Sequence, residues 1–562
     1  MVSQFKLFRM LHTLKKQTKF YVFDVETWGL DATPNSFALG CIYGENYSFK
    51  SDNLDEIKNE LLSPKFSNSV IFAHNALYDI STIFGNVLQG LDNKAIFNGS
   101  TFILAKYKKT TFADSFNIFP TSVEKIGDMI GFPKGITPDK FKDNKRKKLN
   151  NEDFEYCMLD CKIIYVALKR MFEKIGCVRL TLASLSMAYF RRKFLKSNIF
   201  FKENVYEFFN SYYGGRVECF RLGKVYAQKF DINSMYPHAM KYAYFPDPGK
   251  LREIEANEDN FEFILENYEG LAELTVFHKY NNFGYLPYKH EKKLIFPVGK
   301  FRGTWNLNEI RHAYNKGIID ILEFHKVIIA PRKLSIFSEF VDTLYNERKA
   351  TKNEFEKYQL KIILNSLYGK FAQRKMYEVE YIEELTDETD INGKQIVPFN
   401  TERSDCYLIQ EQEKYGYNTI PLFSSYVTSY ARVHLLKQFE KYEINEIVYC
   451  DTDSIAVNNY LKEIETGENL GEFKKENKII IEILGNKSYI ELDGNIVLKG
   501  IPKKAKKIAE NVYEYKTMVK PKTSLMRNLE AGKFITIKKN VKNEYDKRIV
   551  FEDGSTEPIN LK

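Results

Sequence analysis

The sequence predicts a multidomain protein of mixed architecture, α/β in its first third and α+β in the remainder. Three observations support this fold class. The chain has 562 residues, which is enough for three or four structural units at about 150 residues each. Residues 1–170 alternate runs typical of strands and of helices, whereas residues 224–330 mix short runs of both kinds. Residues 336–372 form one long helix-prone stretch in which Gly369 is the first breaker.

The composition indicates a globular protein with a polyanionic partner. Hydrophobic residues make up 44% of the chain and aromatic residues 15%, a share that suits both large cores and surfaces that stack on bases. The formal net charge is +9, and residues 499–562 hold 16 Lys/Arg against 8 Asp/Glu, so +8 of it lies there. A solvated surface is the common explanation of any one charge run, but a cationic end on a near-neutral chain favours nucleic acid. No apolar run of membrane-spanning length or signal-peptide pattern is present, so we expect a soluble, non-secreted protein.

The seven cysteines are scattered, odd in number and without a Cys-x-x-Cys pair, as in a reducing cytoplasm. Cys157 and Cys161 are four residues apart on a predicted helix. No companion ligand pair follows them along the chain, so a zinc site is not expected there.

Punctuation and periodicity predict the remaining elements in chain order. They are a strand at Phe20–Val25, an apolar strand at Val70–Ala73, a basic loop at 140–148, a helix at Glu152–Lys169, a linker at Tyr212–Gly215, a polar insertion at about 375–418, a helix at about 424–442 and a hairpin around Asp451.

A first group of acidic residues lies in the opening 170 residues. Strand periodicity puts Asp24 and Glu26 on one side of a strand, and Asp79 follows the next strand. Tyr156 and Asp160 are four apart and share a helix face. An isolated Asp-x-Glu pair is usually a solvated surface pair, but four carboxylates and a phenol in this order suit a two-metal phosphodiester hydrolase.

These residues resemble the three exonuclease motifs of the DnaQ-like (RNase H-like) 3′→5′ proofreading fold: Asp24-x-Glu26-Thr27, Asn75-x-x-Tyr78-Asp79 and Tyr156-x-x-x-Asp160. Ser115-Phe116 is similar to the Ser-Leu pair that contacts the primer end in protein-primed polymerases, with Phe in place of Leu. The resemblance makes the four carboxylates metal ligands and Tyr156 the residue that orients the water. It assigns single-stranded 3′ DNA to Thr27, His74, Asn75, Tyr78, Ser115 and Phe116. Each has a structural alternative, such as Tyr78 in a core or Ser115 as a cap.

A second group of acidic residues lies downstream. Asp231 ends an alternating strand and is followed by a turn at Pro237. Asp451 and Asp453 occupy the turn of a hairpin whose apolar flanks bury its stem. Aspartate favours turns in any case. That preference does not explain a third Asp presented in the same way by another strand.

Between the two strands lies a helix with a polar face. Lys357, Lys361, Asn365 and Tyr368 recur at spacings of four, four and three, and Lys349 lies about two turns earlier on a nearby face. Lysines on a rigid element suit a triphosphate.

The second group resembles motifs A, B and C of the family B DNA polymerases. The resemblance makes Asp231 and Asp453 ligands of two Mg²⁺ ions, replaceable by Mn²⁺, with Asp451 in support. It implies that Tyr236 stacks beneath the deoxyribose and excludes a 2′-OH. The three lysines would grip phosphates of the dNTP, and Asn365 and Tyr368 would line its pocket.

Further motifs resemble the protein-primed subgroup of small linear-genome bacteriophages. Tyr212-x-Gly214-Gly215 is similar to a linker motif that binds single-stranded DNA, and Lys487-x-Tyr489 to one that contacts the primer end. The resemblance implies strand displacement, primer-template DNA and dNTPs as ligands, a terminal (priming) protein as partner, a monomer and a host-bacterial cytoplasm. The expected units are an exonuclease domain (1–200), linker and palm with motif A (201–300), a first insertion for terminal protein and template (301–348), fingers (349–374), a second insertion for strand displacement (375–420), palm with motif C (421–498) and thumb (499–562).

Three alternatives stay open at this point. The first is a nuclease or repair protein whose second acidic group is degenerate, although three intact aspartates oppose it. The second is a DNA- or RNA-primed family B polymerase. The third is a non-enzymatic DNA-binding replication scaffold, which would leave both acidic groups unexplained.

Overall fold

A computed structural model describes most of the chain. The described residues are 6–12, 18–91, 94–333, 336–374, 378–382, 394–400, 403–411, 415–443, 446–458, 464–541 and 544–562. Parts of the predicted second insertion, at 375–377, 383–393, 401–402 and 412–414, lie outside them. Within the described residues, no helix has the length and apolar character needed to cross a membrane.

The N-terminal unit is a sheet covered by helices, as the alternating pattern predicted. Its strand Phe20–Thr27 runs parallel to Val70–Ala73, which runs parallel to Thr110–Asp114. The sheet continues through Phe37–Gly44, Tyr47–Ser51, Thr101–Tyr107 and Lys94–Asn98. Its helices are Leu54–Leu61, Leu77–Phe84, Val87–Gly90, Val123–Ile130, Asn151–Ile175 and Leu182–Lys193, with 3₁₀ turns at Pro34–Ser36, Pro64–Phe66, Ser115–Asn117 and Asp139–Lys142.

Strands of the predicted second insertion extend this same sheet. Glu378–Ile382 pairs antiparallel with Lys94–Asn98 and with Arg403–Glu411, which in turn pairs with Lys394–Asn400. The described part of the insertion is therefore β-structure that continues the N-terminal sheet.

The central unit is an antiparallel sheet that carries the second acidic group. Its strands, in order across the sheet, are Val217–Cys219, Ile447–Asp451, Ser454–Asn458, Gly223–Ile232, Phe473–Gly485, Ser488–Glu491 and Ile496–Val497. The helices Met235–Tyr242 and Pro421–Phe439 pack together beside it. A 3₁₀ helix at Glu203–Phe209 and a small pairing of Lys6–Phe8 with Ile199–Phe201 lie between the first two units.

The first insertion is a sheet of its own, larger than predicted and shifted toward the N-terminus. The long strand Ile319–Lys333 pairs with Tyr268–His278, which also pairs with Val298–Asn306. The predicted boundary at residue 301 falls inside Val298–Asn306, so it does not separate two units; the paired strands run from 245 to 333. The other elements are Phe245–Pro246, Arg252–Ile254, Tyr288–His290, Lys293–Ile295 and the helices Glu258–Asn267 and Leu307–Asn315.

The long helix predicted for 336–372 is two helices, Ser338–Ala350 and Glu354–Phe371. The break has a local cause. Asn353 caps the second helix by accepting a hydrogen bond from the Glu356 backbone N at 2.9 Å, and the Thr351 hydroxyl donates to the Glu356 carboxylate at 2.6 Å. Side-chain caps of this kind start a new helix even where no Gly or Pro interrupts the chain.

The C-terminal segment docks on the N-terminal unit. It contains the strands Lys506–Ala509, Val512–Met518, Phe534–Asn540, Arg548–Val550, Thr556–Pro558 and Asn560–Leu561 and the helix Pro521–Arg527. The Ala32 backbone N donates to Gly532 O at 2.9 Å, and the Phe534 backbone N donates to the Asp31 carboxylate at 2.8 Å. The final strand runs parallel to the start of Val298–Asn306, so the last residues belong to the first-insertion sheet.

Candidate active sites

The first acidic group converges as predicted. Asp24 and Glu26 project from the strand Phe20–Thr27, and the Val25 backbone N between them donates to Asp79 Oδ1 at 3.2 Å. This bond ties the helix Leu77–Phe84 to the strand. Asp160 comes from the helix Asn151–Ile175, which packs on the same strand.

The cluster carries more negative charge than its surroundings compensate. Burial, and then the neighbouring Asp160, raises the pKa of Asp24 to about 7. Burial also raises the pKa values of Glu26 and Asp79 well above their usual range, with Asp24 as the next cause for each. Oδ1 of Asp160 is buried and has no hydrogen-bond partner among the described residues. Carboxylate oxygens left in this state fit a divalent cation, because Mg²⁺ prefers oxygen ligands.

A lysine that the sequence reading missed completes this site. Lys134 Nζ lies 2.5 Å from Asp160 Oδ2, and Nζ lies 5.2 Å from the centre of the Tyr156 ring. The Tyr156 hydroxyl is fixed by Thr137 Oγ1 at 2.8 Å. The signal was weak, since Lys134 stands alone in a Pro-Lys-Gly loop 26 positions before Asp160.

The residues assigned to single-stranded DNA separate into two kinds. Thr27 Oγ1 and the Tyr78 hydroxyl are 2.5 Å apart beside the carboxylates, while Phe116 is 42% exposed. Ser115, in contrast, is fully buried, and its hydroxyl bonds to Ala73 O and to His74 Nδ1, both at 3.0 Å.

His74 is held on both sides, because its Nε2 lies 2.7 Å from Thr121 O. Ser115 and His74 therefore support the loop internally. Asn75 is exposed, with a left-handed backbone at φ 65°. Asp114, quoted in the motif but given no role, fixes that backbone by accepting from the Asn75 and Phe116 N atoms at 2.9 Å each.

The second acidic group is assembled by strand pairing. Asp231 lies directly opposite Ser454 in the antiparallel ladder, and the Ile232 backbone N donates to Asp453 O at 2.6 Å. Burial, and then Asp453, raises the pKa of Asp231 to about 6. The same two strands therefore fix both carboxylates at one end of the sheet.

A fourth carboxylate approaches this site from the neighbouring strand. Glu476, on the strand Phe473–Gly485, forms an ion pair of 3.2 Å with Lys229, and it also contributes to the raised pKa of Asp231. No motif in the sequence pointed to it. The strand pairing alone brings it beside Asp231.

Asp451 is oriented by groups from the predicted primer-end motif. Lys487 Nζ lies 3.2 Å from Asp451 Oδ1, and the Tyr449 hydroxyl donates to Asp451 Oδ2 at 3.4 Å. The Lys487 backbone N donates to that same hydroxyl at 3.1 Å. Tyr489 is buried, with its ring 5.9 Å from that of Tyr449.

The predicted nucleotide residues are brought together only in part. The Tyr236 and Tyr368 rings stack with centroids 4.4 Å apart, which joins motif A to the helix Glu354–Phe371. Lys361 is near enough to lower the pKa of Asp231, opposing the effect of burial. Asn365 shares the helix face but is exposed.

The other two lysines lie apart from the carboxylates. Lys357 pairs with Glu354 at 2.8 Å. Lys349 is on the preceding helix, Ser338–Ala350, with its Nζ 4.9 Å from the Tyr345 ring centre. The prediction that it continues the same helix as Lys357 is wrong, because the helix ends between them.

The linker motif touches the catalytic turn directly. A Cβ on Gly215 would lie 2.6 Å from Thr452 Cγ2, so only glycine leaves room for the turn that holds Asp453. The Thr452 backbone N donates to Arg216 O at 2.7 Å. Tyr212 is half-buried, and Gly214 has open space around it.

An arginine from the helix Pro421–Phe439 holds the linker in place. Arg432 donates to Tyr213 O at 2.7 Å and to Gly214 O at 2.9 Å, while its other nitrogens form a two-point pair with Glu309 at 2.8 and 3.0 Å. The pair is buried, so the linker, the first insertion and the palm helix are fixed relative to one another.

Two carboxylate sites on a chain of this architecture define a replicative enzyme class, and comparison with known proteins identifies the family. A family model described as DNA polymerase type B, organellar and viral, matches residues 133–468, more than half of the chain. The chain belongs to that family.

Several curated relatives share this family. The DNA-directed DNA polymerase of Enterobacteria phage PRD1 is 26% identical over 459 residues, covering 78% of this chain and 77% of that protein. The DNA polymerase of Streptococcus phage Cp-1 is 24% identical over 485 residues, with 78% and 79% covered. A probable DNA polymerase of Neurospora intermedia is 30% identical over 426 residues, or 67% of this chain, and the match spans only 42% of that longer protein.

The fold matches solved structures along nearly the whole chain. Phi29 DNA polymerase complexed with primer-template DNA and incoming nucleotide substrates aligns with a TM-score of 0.68 at 18% identity, covering 94% of this chain and 100% of that one. The predicted mixed, multidomain fold class is confirmed by this match.

Proposed function

We propose that the chain is a DNA-directed DNA polymerase with a 3′→5′ proofreading exonuclease, each activity in its own carboxylate site. The observation that carries the polymerase assignment is the strand pairing of Asp231 with Ser454, beside the turn of Asp453. Lys361 faces these carboxylates from the neighbouring helix. A binding protein or scaffold has no need of two such acidic groups.

In the polymerase site, Asp231 and Asp453 would hold two divalent cations. Mg²⁺ is expected and Mn²⁺ can replace it; bound there, the ions activate the primer 3′-OH and neutralise the triphosphate. Lys361 contacts the phosphates, joined by Lys357 and Lys349 when the fingers meet the nucleotide.

Other residues of this site select and align the substrates. The stacked pair of Tyr236 and Tyr368 forms a flat floor on which the deoxyribose rests, leaving no room for a 2′-OH. Lys487 compensates Asp451 and orients the primer end.

In the exonuclease site, Asp24, Glu26, Asp79 and Asp160 would hold the cations, which activate water and stabilise the leaving oxygen. Tyr156 orients that water through its hydroxyl. Lys134 keeps Asp160 ionised by direct pairing. Phe116 and Tyr78 hold the frayed 3′ end by stacking and hydrogen bonding.

We also propose protein priming and strand displacement. The unit at 245–333 supplies a docking surface for a terminal protein and the template, and the strands at 378–411 form an arm that embraces downstream DNA. The basic C-terminal segment holds duplex DNA through phosphates. The active species would be a monomer in the cytoplasm of a host bacterium.

Separation of the two activities tests the assignment. Asp453→Ala should abolish extension of a 5′-labelled primer and spare its shortening in the absence of nucleotides, whereas Asp24→Ala with Glu26→Ala should do the reverse. Circular dichroism confirms folding of each variant. Loss of both activities from either folded variant would contradict the two-site assignment.

A further inference from the structure

The first carboxylate site has a sulphur neighbour that Mg²⁺ chemistry does not require. Cys157 Sγ lies 3.6 Å from Asp24 Oδ2 and 3.4 Å from Asp24 O. One ligand atom from each of Asp24, Glu26 and Cys157 lies within 4.8 Å of the others. In the described part of the chain, this is the one group of three potential metal-binding side chains at such spacing.

The spacing suits a small tetrahedral ion. Oxygen and sulphur ligands at about 2.1 and 2.3 Å from a tetrahedral Zn²⁺ are roughly 3.6 Å apart. The separation of Asp24 Oδ2 and Cys157 Sγ is 3.6 Å. Asp160 Oδ1, which is buried without a hydrogen-bond partner among the described residues, supplies an oxygen for a fourth position.

We propose that Asp24, Glu26 and Cys157 form a binding site for a thiophilic divalent cation such as Zn²⁺ or Cd²⁺. The thiol gives up its proton to solvent when its sulphur binds the metal. Mg²⁺ gains nothing from sulphur, while Zn²⁺ and Cd²⁺ favour thiolate, so a soft cation displaces Mg²⁺ from this site. The site coincides with the proposed exonuclease centre, so a bound soft cation would inhibit that activity.

The second carboxylate site lacks this feature. Cys450 precedes Asp451, but strand alternation turns its Sγ to the opposite face, 3.9 Å from Arg216 O. Asp231, Asp451 and Asp453 therefore present oxygen alone. A soft cation should distinguish the two sites of the chain.

The helix spacing that the sequence displayed was a poor guide here. No companion ligand pair follows Cys157 and Cys161 along the chain, and none is needed, because the companions come from the strand Phe20–Thr27. Cys161 Sγ instead bonds to Cys41 O at 3.5 Å. Cys161 is thus a matched control, four residues away on the same helix.

Cd²⁺ titration of the full, metal-free chain tests the site without relying on activity. The thiolate-to-cadmium charge-transfer band in the ultraviolet should saturate at one equivalent in the wild type and in Cys161→Ser. Cys157→Ser should lose that band and bind Cd²⁺ at least about tenfold more weakly by calorimetry. Glu26→Gln should weaken binding while keeping the band.

The outcomes are separable. An unchanged band and affinity in folded Cys157→Ser would overturn the proposal, as would loss of the band in Cys161→Ser alone. If Cys157→Ser fails to fold, Cys157→Ala and the Glu26→Gln affinity decide instead. Should the wild type bind Cd²⁺ through Cys157 yet show no exonuclease activity with Mg²⁺, the metal site stands and the proposed exonuclease function fails.

Discussion

Gly215→Ala should disable synthesis through steric pressure on the catalytic turn. The new Cβ would lie 2.6 Å from Thr452 Cγ2 and 2.8 Å from its Oγ1. Carbon atoms in contact prefer about 3.5–4.0 Å, so the turn must retreat by about 1 Å. Asp453 follows Thr452 directly, and its backbone N donates to Asp451 O at 2.7 Å. A misplacement of about 1 Å in catalytic groups costs roughly 100-fold in rate.

Single-turnover nucleotide incorporation measures this effect, and the chain offers two matched controls. Gly214→Ala introduces a Cβ into open space and should leave folding intact. Thr452→Gly removes the three atoms that the new Cβ would meet, and its φ of 60° is one that glycine adopts without strain. The double variant Gly215→Ala with Thr452→Gly should therefore recover most of the rate lost in Gly215→Ala.

The exonuclease rate is the internal reference, because no part of that site touches the turn. A rate within about twofold of the wild type in Gly215→Ala would refute the steric argument. So would a double variant no faster than Gly215→Ala, since the linker would then act by DNA contact instead.

Three further predictions concern the charged and aromatic groups. Lys134→Ala should lower 3′ shortening by about 10²–10³-fold and spare extension, because Asp160 loses its cation; equal exonuclease rates would contradict this role. In EDTA, the free energy of unfolding should fall as pH rises from about 4 to 7, because burial raises the pKa of Asp24 from 3.8 to about 7 and a raised carboxyl pKa makes ionisation oppose folding. Calorimetry should show Mg²⁺ reversing that loss, and a flat profile would refute it. Tyr236→Val should raise ribonucleotide use relative to deoxyribonucleotide use by at least about tenfold, and an unchanged ratio would remove Tyr236 from sugar selection.

The acidic groups were predictable because strand and helix periods act locally. Period two is enough to put Asp24 and Glu26 on one side of a strand, and apolar flanks are enough to put Asp453 at a hairpin tip. The order of these motifs then predicted the family and the mixed fold class, both confirmed by comparison.

Contacts set by tertiary packing were not predictable. Lys134 and Glu476 belong to no periodic pattern, and each reaches its partner only through the packing of distant elements. The break at Thr351–Asn353 depends on side-chain caps, which compete with helix propensity without any Gly or Pro. The first insertion begins earlier than predicted because Tyr268–His278 has partners on both of its sides, a pairing that no local signal reveals.

Extension of a 5′-labelled primer on a circular single-stranded template, with Mg²⁺ and no other protein, tests the central claim most directly. We expect shortening of the primer when nucleotides are omitted, and products longer than one circle when they are present. Those two results would establish proofreading, synthesis and strand displacement in one chain. No extension by a chain that still shortens the primer would contradict the polymerase assignment and leave a nuclease.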